Sequence, residues 1–72
     1  MRMTMKQLEN MYGVEDVGAV WKMMCMGWDS SDDPEEIARY HEISLEDAKS
    51  IHEIMKAIEE TVEYQEYYEE VM

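Results

Sequence analysis

Apolar residues recur along this chain at helical intervals rather than in alternation, so the pattern predicts helices almost throughout. Leu8 and Met11 mark the inward side of a short first helix over Thr4–Tyr12, with Thr4 as its cap and Gly13 as its stop. A second helix is expected from about Val14 to Trp28. Val14, Val17, Trp21, Met24 and Trp28 alternate three- and four-residue steps along one face, and Val20 and Cys25 widen that face. Ala19, Met23 and Met26 lie behind it, leaving Glu15 and Lys22 as a thin polar edge. A helix apolar nearly all round is either central or sandwiched between two surfaces.

A polar loop, Asp29–Asp33, follows. Asp33 then caps a short helix over Pro34–His41, with proline in first position and Glu35 and Glu36 in the first turn, where acids suit the helix dipole. Ile37 and Ala38 face inward. Ser44 caps the last helix, and Asp47 three residues later resembles the second half of a capping box. No breaker interrupts the run from Leu45 to Met72, which would span roughly 42 Å if helical throughout. Ile51, Ile54, Met55, Ile58 and Val62 form its core stripe. The stripe then gives way to Gln65 and Glu69, while Tyr64, Tyr68 and Val71 open a second stripe to one side. Residues 63–72 are therefore expected to leave the body of the domain.

Ile37-Ala38, a four-residue gap, Ile43-Ser44 and then Ile51 resemble the helix-turn-helix unit, over residues 34–54. The resemblance implies a small alanine where two helices approach and a second helix that offers Leu45, Glu46, Lys49, Ser50 and Glu53 to a groove of DNA. Two positions depart from the pattern. Glu42 stands where the turn usually has glycine, and Ala48 where a larger apolar residue is common.

Charge opposes the DNA-reading use of such a unit. The 72 residues carry 18 acids against 6 Lys and Arg, a net charge of −12. Affinity for nucleic acid rests mainly on Lys and Arg displacing counterions from phosphates. Arg2, Lys6, Lys22, Arg39, Lys49 and Lys56 are instead spread along the chain. Direct binding of nucleic acid, or of anionic membranes, is not expected. The charge turns attention to a row of carboxylates, Glu59, Glu63, Glu66 and Glu70, spaced to lie about 5–6 Å apart on one helical arc. A second acidic cluster, including Asp29, Asp32 and Asp33, lies in the loop. Such rows are either a solvated face that keeps a small protein soluble or an imitation of a phosphate backbone that fits a basic groove. On the second reading, replacing the row by Gln would weaken partner binding while the fold held or improved. Tyr67, opposite the core stripe, is a candidate contact, since tyrosine is enriched at binding hot spots.

Other chemistry finds little footing. Cys25, His41 and His52 are scattered and do not have zinc-ligand spacing. The loop lacks the glycine and the distant glutamate of a calcium loop, no Gly-rich phosphate loop is present, and no serine stands in a nucleophile elbow. No cofactor, metal or catalytic residue is assigned. The nine methionines and the absence of phenylalanine suit either an ordinary core with Met in place of Leu and Phe or an adaptable binding surface. No apolar run approaches the roughly 20 residues of a membrane span, and no signal-peptide pattern precedes the first helix, so a cytoplasmic protein is expected.

These readings converge on one all-α domain over residues 1–72, with three or four helices, a degenerate helix-turn-helix core and a long acidic C-terminal helix. The expected function is a non-enzymatic inhibitor or adaptor that occupies a basic surface, such as that of a nucleic-acid-binding protein. Its size and acidity are similar to those of antagonists encoded by viruses and mobile elements, such as anti-CRISPR, anti-restriction and polymerase-inhibiting proteins, some of them DNA mimics. A helix-turn-helix transcription regulator and an oligomeric assembly subunit stand as alternatives. A chain this short buries only about 60% of its unfolded surface. A homodimer through the apolar back of the second helix and the Tyr64/Tyr68/Val71 stripe is therefore expected as well.

Overall fold

The computed structural model describes residues 3–71, and side chains as far as Tyr67. Five helices occupy this span: α1 (Met5–Tyr12), α2 (Val14–Cys25), α3 (Pro34–His41), α4 (Leu45–Glu59) and α5 (Val62–Val71). The fold is all-α. Its hub is α4, which touches each of the other four helices. Ala48, Ile54, Met55 and Ile58 of α4 meet Leu8 of α1, Val17 and Val20 of α2 and Ile37 of α3 in one buried cluster. The apolar α2, which the sequence suggested might be central, packs on α1 and α4 and leaves Gly18, Ala19, Cys25 and Met26 at the surface.

Local chemistry sets the helix starts. Thr4 and Gln7 form a full capping box at α1, the Gln7 N–H donating to Thr4 Oγ1 at 3.2 Å and the Thr4 N–H to Gln7 Oε1 at 2.9 Å. Asp33 accepts the Glu35 N–H at 2.9 Å, and Ser44 the Asp47 N–H at 3.0 Å. The α4 box stops there. The Asp47 carboxylate makes no return bond to Ser44, consistent with its being one methylene shorter than the Glu or Gln of a full box.

The expected single helix from Leu45 to Met72 is broken. α4 ends at Glu59, and Thr61 starts α5 as its cap. The Thr61 hydroxyl donates to the Ile58 carbonyl at 2.6 Å and accepts the Tyr64 N–H at 3.2 Å, so this fully buried polar side chain is satisfied on both sides. Extended Met3 holds the break from outside, its carbonyl accepting the Val62 N–H at 3.1 Å in a one-rung parallel bridge with Thr61. The turn directs α5 back onto α2. Trp21 meets Tyr64 and Tyr67 edge-on, with ring centroids 6.0 and 5.7 Å apart. Tyr68 and Val71 of the expected second stripe have side chains outside the described residues.

Three burial assignments also change. Val14 and Met11, expected inside, are 66% and 62% exposed, and they flank the Gly13 corner between α1 and α2. α2 stops at Cys25 rather than Trp28, with Gly27 at φ 109° carrying the chain into the loop. Cys25, expected to widen the core face, is exposed.

Candidate partner-binding surface

The acidic loop is built largely by its own carboxylates. The Asp29 side chain accepts the Ser31 N–H at 2.8 Å and the Ser31 hydroxyl, and the Asp32 side chain accepts the Asp29 N–H at 2.9 Å. The Ser31 hydroxyl, and after it the Ser31 N–H, hold the Asp29 carboxyl below the ordinary range of an aspartate. Asp33 is spent as the α3 cap. The loop is then clamped to α4 at Ser30. Glu59 accepts its N–H at 3.0 Å and its hydroxyl at 2.5 Å, while His52 Nε2 lies 2.7 Å from its carbonyl. His52 and Glu59 are seven residues apart, two helical turns, and so project from the same side of α4.

The acidic row is thereby divided. Glu59 ends α4, half-buried and bonded to Ser30. Glu63 lies beyond the turn in the first turn of α5, and its Oε1 accepts the Met5 N–H at 3.1 Å, placing a carboxylate at the α1 N-terminus where the dipole favours it. Glu66 is exposed, and the Glu70 side chain is outside the described residues. These carboxylates do not share one rigid helix, and two of them hold the fold together. Tyr67 is 49% exposed, its ring set edge-on to Trp21. Tyr64, assigned to a dimer stripe, packs on Trp21 of its own chain.

A different arrangement draws acids and apolar surface together. α2 and the first half of α4 enclose an open cleft of about 280 Å³. Val20 and Ile54 form its buried floor, half-buried Met23, Ile43 and Ile51 line it, and the exposed carboxylates of Asp16 and Asp47 stand at its edge. Sequence reasoning missed this site. Its signal was the apolar character of Ala19 and Met23 behind the main face of α2.

A short turn over residues 42–44 joins α3 to α4. Glu42 takes the left-handed conformation usually left to glycine, with φ 56° and ψ 47°. Ile37 and Ala48 are fully buried beside it, Ala48 taking in close packing the place expected for a larger residue. Glu46, Lys49, Ser50 and Glu53 of α4 are exposed. At the end of α3, the rings of Tyr40 and His41 cluster with Trp28 at steep angles, centroids 5.0 to 5.2 Å apart, and the buried His41 Nε2 has no hydrogen-bond partner.

Among the described residues, every hydrogen bond to a carboxylate comes from a backbone N–H or a serine hydroxyl, and no acid is ion-paired to Lys, Arg or His. No group of three or more His, Cys, Asp or Glu there could hold a metal ion, and no helix is long and apolar enough to cross a membrane. Compared with known proteins, the chain matches no family model, no curated protein and no solved structure.

Proposed function

We propose that this chain is a non-enzymatic binding module, an inhibitor or adaptor, that occupies a basic surface of a protein partner. The observation that carries this reading is the uncompensated charge. The chain has 12 more acids than bases, and among the described residues no acid has a basic partner. A field of that sign speeds encounter with a cationic surface and repels phosphates. The exposed part of α4 that would enter a DNA groove carries Glu46 and Glu53 around Lys49, which supports a protein ligand over DNA. The cytoplasm, where nucleic-acid enzymes present such basic surfaces, is the proposed setting, and antagonism of such an enzyme by a virus or mobile element is one form the function could take. Affinity capture from the source cells, followed by reconstitution with the purified partner, tests it. The reading expects a basic partner whose affinity falls as salt rises and whose binding competes with its nucleic acid. A purified partner with an acidic or neutral contact surface, bound independently of salt, would exclude it.

A helix-turn-helix regulator is the second reading, favoured by the left-handed Glu42 turn and the buried Ile37–Ala48 packing. Saturable duplex binding would promote it.

A further inference from the structure

The partner reading leaves open which part of the acidic surface does the binding. Most of the acids singled out by their spacing already have roles in the fold. Asp29, Asp32, Asp33, Glu59 and Glu63 are engaged in turns, caps and the Ser30 clamp. Burying them under a partner would compete with bonds the fold uses.

The α2–α4 cleft has no such conflict. Its floor is aliphatic and thioether, from Val20, Met23, Ile43, Ile51 and Ile54. Its edge carries Asp16 from α2 and Asp47 from α4, exposed carboxylates free of internal hydrogen bonds. No Lys, Arg or His lines it. We infer that this cleft receives a cationic amphipathic helix of the partner protein, with apolar side chains on the floor and Lys or Arg meeting Asp16 and Asp47. The inference rests on the basic-partner reading and names its site.

Three features select this occupant. A trough between two helices, apolar below and charged at the rim, is the form in which a third amphipathic helix docks through anchors at i, i+3, i+4 and i+7. The small residues Ala19 and Ser50 line opposite helices of the cleft and leave room for a backbone to approach. At about 280 Å³ the open cleft falls just below the range for small-molecule sites, roughly 300–1,000 Å³, so a pair of side-chain anchors suits it better than a cofactor. A second copy of this chain is a poor occupant, since each copy carries a net charge of −12 and would bring its own acids to the rim.

Fluorescence anisotropy with the full chain tests the site. The probe is a labelled synthetic helix of about 18 residues, five turns, made of Leu and Lys with the Leu on one face. The control has the same composition with Leu distributed round the helix. At about 50 mM salt the wild-type chain is expected to bind the amphipathic probe about tenfold more tightly than the control. Ala19→Trp and Ser50→Arg, at exposed helical positions, should each abolish that preference with the circular-dichroism melt retained. Asp16→Asn with Asp47→Asn should weaken binding of the probe and flatten its salt dependence. Equal binding of both peptides, or an unchanged preference in the folded cleft variants, would remove the cleft while leaving the basic-partner reading standing. Failure of both peptides to bind at low salt would overturn both. A wild-type dimer that dissociates in Ala19→Trp would assign the cleft to a second copy and overturn the inference.

Discussion

Replacing Glu59 separates two accounts of the acidic row, because they predict opposite signs. If Glu59 were one of a row of like charges at the end of a helix, its removal would stabilise the chain. The C-terminal end of α4 carries negative partial charge, and a carboxylate there costs about 0.3–1 kcal/mol. The Ser30 clamp dictates the reverse. Glu59 accepts two hydrogen bonds from Ser30, at 3.0 and 2.5 Å, in a partly buried site. Bonds to a charged group contribute roughly 1.5–3 kcal/mol each when well sheltered. Discounting for partial exposure and subtracting the dipole term leaves a net loss of about 2 kcal/mol for Glu59→Ala. For a domain of this size that is a drop in Tm of about 8–16 °C. Glu59→Gln should lose about half as much, because its amide oxygen can still accept the Ser30 N–H while its NH₂ donates to the Ser30 hydroxyl. Glu66→Ala, at an exposed position, should stay within about 0.5 kcal/mol of wild type. Thermal melts followed by circular dichroism measure all three. A double-mutant cycle with Ser30→Ala should give a coupling above about 0.5 kcal/mol. Were Glu59→Ala to melt at or above the wild-type temperature, with zero coupling to Ser30, the clamp argument would be wrong.

Glu42→Gly should stabilise the chain by about 1 kcal/mol, raising Tm by about 4–8 °C, since it relieves a non-glycine residue at φ 56°; an unchanged or lower Tm would contradict the strain. Ser31→Ala should raise the Asp29 pKa toward its ordinary value, read by NMR titration of the carboxyl carbon. A depressed folded pKa contributes stability that is present above the unfolded value and lost as pH falls through the folded one, so the deficit of Ser31→Ala should be full near neutrality and vanish in acid. The homodimer expected through the apolar back of α2 and the Tyr64/Tyr68/Val71 stripe would compete with the partner helix for Ala19 and Met23, so sedimentation equilibrium at micromolar concentration separates the two: the cleft's assignment predicts a species of 8.6 kDa, and twice that mass would support the dimer.

The parts of this fold legible in the sequence are those that local chemistry decides. Thr4, Asp33 and Ser44 each cap a helix within a few residues, and Gly13 stops one, so their positions needed no tertiary information. The buried Ile54, Met55 and Ile58 followed from helical spacing. The break at Thr61 did not, because a threonine between Glu60 and Val62 reads as one more tolerable helix position. Its capping role depends on Met3, 58 residues away in sequence, taking the Val62 N–H. The same distance effect misled the reading of the acids. Glu59 and Glu63 look like members of a periodic row, but their partners, Ser30 and Met5, lie far off along the chain. The cleft escaped because it forms only where α2 packs on α4, and Asp47 already has a local role in the first turn of α4.

The central claim is that the negative field and the apolar cleft serve a cationic protein segment and not nucleic acid. One side-by-side titration tests it most directly: the labelled full chain at about 50 mM salt, the condition most favourable to electrostatic binders, with a random-sequence duplex DNA and with the cationic amphipathic helix. The account predicts saturable binding of the helix, weakening as salt is raised, and no binding of the duplex. Saturable binding of the duplex with none of the helix would contradict it.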